Sequence, residues 1–408
     1  MKIAVLFDNF GPYHLARLRA ASQVCTLLAL QVRRRSREYL WEPAALSEAF
    51  EVQTLERPDD LVSSPGQHPL ILRLTTALVS FAPDCVFVPG WSSRCSLAAL
   101  HWCAQSKIPS VIMSESTRAD LPRRPWKEWL KSLLLKMCSA ALVGGAPHTE
   151  YLTSLGMASH RIFPGYDVID NDYFIRRTEE IRARSEEFRK QFLVPGHYFL
   201  ASARFIKSKN LCWLIGAYAL YRRAHRSLPC AHSRSAQTEP RSLVVLGDGA
   251  GRPELEKQIA DLNLERCVLL PGFKQYAELP IYYALADAFV HASTSEPWGL
   301  VVNEAMASAL PVLVSDRCGC SGDLVRQGSN GFTFDPTNAH SLVTLLLRLS
   351  NSQPECRRLG AAGRRLISAW GPARFQQGFH RAAEVALNHL PVCRGFAPSI
   401  FLRGLLQT

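Results

Sequence analysis

Short apolar runs alternate with helical patterns along the chain. In the first half the runs are KIAVLF (2–7), DCVFVPG (84–90), PSVIMS (109–114) and AALVGG (140–145). Each is apolar at consecutive positions, the pattern of parallel strands covered on both faces by helices. Amphipathic stretches at 13–24, 92–106, 124–138 and 147–155 lie between them. The second half repeats the rhythm with YFLASARF (198–205), SLVVLGDG (242–249), CVLLPGF (267–273), DAFVHAS (287–293) and LPVLVSD (310–316). This predicts an α/β protein of two doubly wound, Rossmann-like parallel-sheet domains. A charged segment at 178–192, closed by Pro195-Gly196, marks the expected boundary, giving domains 1–190 and 191–369. Residues 370–389 read as one more helix, followed by a tail to residue 408. The polar, turn-rich stretch 225–241 reads as an insertion loop. Doubly wound sheets bind ligands beyond the carboxyl ends of their strands, so two such domains facing across a cleft would suit a reaction between two substrates.

Composition narrows the class. With 47% hydrophobic and 20% charged residues the chain is too apolar for disorder. No uncharged apolar window is long enough to span a bilayer, and Asp8 interrupts the first run, unlike a signal peptide. The twelve cysteines are scattered without paired CxxC spacing, which favours reduced thiols and no structural metal. The net charge of +12 favours anionic partners, and eight arginines after residue 356 face only Glu384. No basic run interleaved with aromatics is present, so nucleic acid is not an expected partner.

The chemistry concentrates in DAFVHASTSEPWGLVVNEAMASALPV (287–312). A strand, a turn holding Pro297, and a helix starting near Gly299 leave the N–H groups of Gly299, Leu300 and Val301 open to an anion. Glu296 and Glu304 flank that point. A diphosphate at the helix start would place a sugar near each, with Glu304 able to accept from a ribose. Without other context, both acids read equally as solvated helix-end charges. Arg204 and Lys209 follow the strand at 198–205 and read either as surface charge or as a fork and a point charge for a phosphate. Gly247 and Gly249, in GDGAG, lack the spacing of a dinucleotide loop, and no cofactor is expected.

Glu296-Pro-Trp-Gly-Leu, Glu304-Ala-Met-Ala and Pro311-Val312 closely resemble the donor signature of glycosyltransferase family 4. The chain departs from it at Trp298, usually Phe, and at Ala309, usually Gly. GSNGFTFDP (328–336) and the Arg204–Lys209 pair resemble further elements of that family. The resemblance implies a GT-B fold and a retaining, metal-independent transferase using a nucleoside-diphosphate sugar. It implies catalytic roles for Glu296, Arg204 and Lys209. Donor contacts would come from Glu304, Gly299, Leu300, Val301, Gly247 and Gly249. It also implies a terminal helix that crosses back to the N-terminal domain. A sugar-nucleotide epimerase on the same fold and a non-catalytic nucleotide-sugar-binding protein are the alternatives.

The first half varies in such enzymes because it receives the acceptor, a glycan, a lipid-linked chain or a small molecule. Candidates there are Gly11 and His14 after the first strand, Trp91 after the 84–90 strand, and Glu115, where many members carry His. Residues 122–138 form an amphipathic helix with Trp126, Trp129, Leu130, Leu133, Leu134 and Met137 on one face and Arg124, Lys127 and Lys131 on the other. It reads either as a sheet-covering helix or as one that docks on an anionic membrane. The expected setting is cytoplasmic, in part peripheral on the inner leaflet, in cell-envelope glycan assembly.

Overall fold

The computed structural model describes residues 1–35, 41–42, 49–57, 69–120, 123–227 and 239–389. The chain forms two compact units. One comprises residues 1–169 together with the chain from Trp370 onward, and the other spans Asp170–Ala369.

The first unit holds seven strands: β1 (Lys2–Phe7), β2 (Thr26–Gln31), β3 (Glu51–Thr54), β4 (Cys85–Pro89), β5 (Ser110–Ser114), β6 (Ala140–Val143) and β7 (Ile162–Pro164). They pair in the order β3-β2-β1-β4-β5-β6-β7, all parallel. The second unit holds β8 (Tyr198–Ser202), β9 (Ser242–Leu246), β10 (Val268–Gly272), β11 (Ala288–His291), β12 (Val312–Ser315) and β13 (Gly331–Phe334), in the parallel order β10-β9-β8-β11-β12-β13. The winding direction reverses between β1 and β4 in one sheet and between β8 and β11 in the other. Those switch points are where a doubly wound sheet opens a crevice. The central strands are sealed on both faces, as their unbroken apolar runs require: Ile3, Ala4 and Val5 in β1 and Phe199 and Leu200 in β8 are fully buried.

The strands the sequence reading passed over are β2, β3, β7 and β13. Three, β3, β7 and β13, are edge strands and β2 lies next to an edge; in β3 and β7 one-sided exposure or brevity removes the double-faced apolar signature. β3, Glu-Val-Gln-Thr, has no buried residue, and β7 is three residues ending in Pro164.

The division between units falls after Ile169, not at residue 190. The charged stretch expected to end the first domain forms the helices Asn171–Ala183 and Ser185–Phe192, and its arginines bind the second unit. Arg182 donates to the carbonyls of Ala284 and Ser308, and Arg189 Nη2 to that of Leu285. Phe174 and Ile181 are fully buried, and Asn171 Nδ2 donates to the Ile367 carbonyl at 2.7 Å. Long cationic side chains satisfying backbone carbonyls make a segment that is polar in sequence an integral wall of the unit.

The terminal helix Pro372–Asn388 belongs to the first unit. Phe379 stacks on Phe87 of β4 at 4.1 Å, and Trp370 Nε1 donates to the Asp167 carbonyl. Gly378 is required there: a Cβ would lie 2.7 Å from the Pro164 carbonyl oxygen. Of the expected insertion 225–241, residues 228–238 lie outside the described residues, as does the tail from residue 390.

Candidate active site

The second unit gathers its candidates beyond the carboxyl ends of β8 and β11. Glu296 follows β11 and Lys209 closes the short 3-10 turn Lys207–Lys209 after β8. Lys209 Nζ donates to Glu296 Oε2 at 2.5 Å. His291, the last residue of β11, reaches the same oxygen through Nε2 at 2.9 Å, and Ser293 Oγ lies 3.4 Å from it. Three protein donors thus converge on Oε2. The side chain keeps 13% of its surface exposed. Burial alone would raise the Glu296 pKa. The hydrogen bond and charge of His291, followed by those of Lys209, outweigh it and bring the pKa down to about 2. His291 shows the reverse balance: burial would lower its pKa, but bonds to Cys318 and Glu296 and their charge lift it to about 9. The carboxylate is therefore a permanent, oriented acceptor at neutral pH.

The turn after Glu296 is held from behind by Cys318-Gly319-Cys320. Gly319 N–H donates to the Glu296 carbonyl at 2.9 Å, and Cys318 Sγ lies 2.9 Å from the Trp298 carbonyl oxygen. A Cβ on Gly319 would sit 1.7 Å from the Pro297 oxygen, so only glycine permits this approach. The two thiols are 3.5 Å apart; the Cys320 pKa is raised by burial, whereas Cys318, beside Cys320 and the His291 imidazolium, is lowered despite its burial. Sequence reasoning read the cysteines only as reduced thiols and missed His291, Ser293 and Tyr283. A histidine ending an otherwise apolar strand, five residues before Glu296, was the available signal.

Gly299 adopts φ +98° and begins the helix Leu300–Ala307, whose first turn no side chain caps. Leu300 and Val301 are half-buried at its start. Trp298 is buried, with Nε1 donating to Asn303 Oδ1 at 3.0 Å. Glu304, by contrast, is fully enclosed, and Tyr283 Oη donates to its Oε2 at 2.6 Å. A solvated helix-end acid it is not. Ala309, where the resembled family has glycine, sits at φ +54°.

Arg204 lies half-buried on the loop after β8. The glycines of GDGAG brace that loop. A Cβ on Gly247 would fall 1.9 Å from the Ala203 oxygen and one on Gly249 2.9 Å from the Phe205 oxygen, and Phe205 N–H donates to the Asp248 carbonyl. Their observed work is to let two loops at the carboxyl edge pack against each other.

In the first unit, Gly11 and His14 stand at the carboxyl end of β1. His14 Nδ1 accepts from Gly11 N–H at 3.1 Å and so caps the helix Pro12–Ser22. His148 repeats the device on Gly145. Burial, then the charge of Arg17, lowers the His14 pKa to about 3, so the ring stays neutral. Glu115 is exposed just after β5. Trp91 turns onto Leu134 and Met137. Among the described residues no group of three His, Cys, Asp or Glu is arranged to hold a metal ion, and the ten cysteines they include are free thiols. No described helix is long and apolar enough to cross a membrane.

Residues 184–366 match the family model for glycosyl transferases group 1, so the second unit carries that family's pattern. The chain is 34% identical over 134 residues to the alpha-monoglucosyldiacylglycerol synthase of Acholeplasma laidlawii, covering 33% of this chain and 30% of that protein. It is 28% identical over 223 residues to the mannosylfructose-phosphate synthase of Agrobacterium fabrum, covering 52% and 44%. The chain thus spans less than half the length of these curated relatives. HepE of Anabaena, solved with UDP and glucose, superposes with a TM-score of 0.70 at 19% identity over 93% of this chain and 98% of that one. The fold is that of the GT-B glycosyltransferases.

Proposed function

We propose that the protein is a retaining glycosyltransferase that moves a sugar from a nucleoside-diphosphate sugar to a glycan, lipid-linked or small-molecule acceptor. The observation that carries this reading is the convergence of Lys209, His291 and Ser293 on one oxygen of Glu296, beside the uncapped helix start at Gly299. A carboxylate fixed through one oxygen presents the other to a sugar hydroxyl. The helix start receives the diphosphate. As the glycosidic bond breaks, negative charge grows on the leaving diphosphate, and Arg204, the remaining N–H groups of Lys209 and the helix dipole stabilise it. This assignment needs no metal, since fixed cations already face the charge. Glu304 is assigned to the ribose, which requires the side chains enclosing it to give way on donor binding. Gly247 and Gly249 hold the Arg204 loop, and Gly11, His14, Trp91 and Glu115 serve the acceptor or the donor sugar.

The named relatives include a synthase of a glucosylated diacylglycerol, which supports a lipid-bearing acceptor. The helix Pro125–Leu135 exposes Trp126 and Trp129 beside Arg124 and Lys127, supporting peripheral docking on the anionic cytoplasmic leaflet. A screen of nucleotide sugars, with and without EDTA, tests the reaction by nucleoside-diphosphate release. Transfer with inversion, or loss of turnover in EDTA that magnesium restores, would correct the mechanism. Conversion of donor to an epimer without an acceptor would replace the transferase reading.

A further inference from the structure

The first unit contains a cavity of about 300 Å³ lined by Trp91, Leu97, Trp126, Lys127, Leu130, Lys131 and Leu134. Its floor is apolar: Leu134 is buried with Met137, and Trp91 and Leu97 pack against the pair. Its rim carries Trp126, 58% exposed. The sequence pattern set Lys127 and Lys131 on the face opposite the tryptophans. The structure instead puts both on the cavity wall, where the helix's apolar and basic faces meet.

The charge on this wall is one-sided. Residues 123–136 carry Arg123, Arg124, Lys127, Lys131 and Lys136 against Glu128 alone. Lys131 Nζ donates to Glu128 Oε1 at 3.0 Å and to Tyr151 Oη at 2.8 Å, which fixes its position and uses two of its three N–H groups. Arg123 donates through Nη1 to the same tyrosine and lies 3.5 Å from Glu128 Oε1, while its buried Nη2 has no hydrogen-bond partner among the described residues. Lys127 Nζ lies 5.4 Å from the centre of the Trp126 ring. An apolar slot with Lys131 held at its lip and the exposed Lys127 beside it complements an amphiphile with one slender chain and an anionic head. The slot also opens beside Trp91, immediately beyond the carboxyl end of β4 and thus at the switch point of its sheet.

We infer that this cavity seats the hydrocarbon chain of a phosphate-headed lipid, with Lys127 and Lys131 on the phosphate. The inference rests on the membrane-docking reading of the same helix and narrows it. Docking spreads the helix over many headgroups, whereas the cavity takes a single chain. A chain anchored there places its phosphate, and the group the phosphate carries, at the carboxyl edge of the acceptor-side sheet.

Monomeric dodecyl phosphate, below its micelle concentration, is the probe, followed by calorimetric titration of the whole chain. Saturable binding is expected, at least tenfold tighter than for butyl phosphate, which has the head without the tail. It should be equally tighter than for dodecyltrimethylammonium, which has the tail with the opposite charge. Leu130→Glu puts a carboxylate in the slot, and Leu130→Trp fills it without charge. Both should weaken dodecyl phosphate at least tenfold while melting as the wild type does. Equal affinity for the three probes, or wild-type binding in both variants, overturns the inference. Flotation with anionic vesicles separates the two readings. If vesicles fail to bind but dodecyl phosphate does, docking is wrong and the chain site stands. If vesicles bind but dodecyl phosphate does not, the reverse holds.

Discussion

Glu296→Gln removes one charge from a buried cluster and leaves its two cationic neighbours, Lys209 and His291, without their counter-ion. The structure sets the size of the effect. Folding moves the Glu296 pKa from 4.5 to about 2, and at about 1.4 kcal/mol per unit that is about 3 kcal/mol of stability at pH 7. The loss expected for breaking one partner of a buried ion pair is of the same order, ~3–5 kcal/mol. In a unit of this size, 3 kcal/mol corresponds to a melting decrease of roughly 6–12 °C. Because the folded-state pKa is depressed, the contribution is complete above pH 4.5 and drains away as pH falls toward 2. Near pH 3.5 about 2 kcal/mol should remain. Scanning calorimetry of both proteins at pH 7 and pH 3.5 measures this difference against a background of carboxylates common to both. A variant as stable as the wild type at pH 7, or a gap that does not narrow in acid, would refute the view that cations hold Glu296 ionised. The test is demanding, because a site residue kept for catalysis alone would leave stability unchanged or raise it when neutralised.

Arg204→Ala should lower turnover about 10²-fold, while Glu304→Ala should weaken nucleoside-diphosphate binding, both read from steady-state kinetics and calorimetric titration. Tyr283→Phe, which removes the hydroxyl that donates to Glu304 Oε2 and lies 3.5 Å from the Val301 carbonyl oxygen, should cost roughly 1–3 kcal/mol of thermal stability. Ala309→Gly should stabilise by roughly 0.5–1 kcal/mol in a thermal melt, since alanine there holds φ at +54°. Removing residues 370–408 strips Phe375 and Phe379 from the first unit's sheet. The truncated chain should lose the calorimetric transition of that unit and keep nucleoside-diphosphate binding by the other.

Local pattern determined much of this molecule. Central strands buried on both faces are apolar at every position, so β1, β4, β5, β8, β9, β11 and β12 could be read from the chain without a partner in view. Glu296 and Gly299 could be named as candidates because a strand, a turn and a helix start follow one another within a few residues, whereas Arg204 and Lys209, far off in the chain, could be named only through a family resemblance. Tertiary structure decided what depends on residues far apart in the chain. It joined Lys209 to Glu296 across 87 positions and enclosed Glu304 beneath Tyr283. It also brought Cys318-Gly319-Cys320 behind the Glu296 turn, a closeness set by backbone approach at Gly319 rather than by any pattern. The unit boundary moved for the same reason: whether Arg182 and Arg189 are solvated or bound to carbonyls depends on what lies opposite them. A helix's own periodicity gives its faces, and only the neighbouring helix and Trp91 make a cavity at the seam between them.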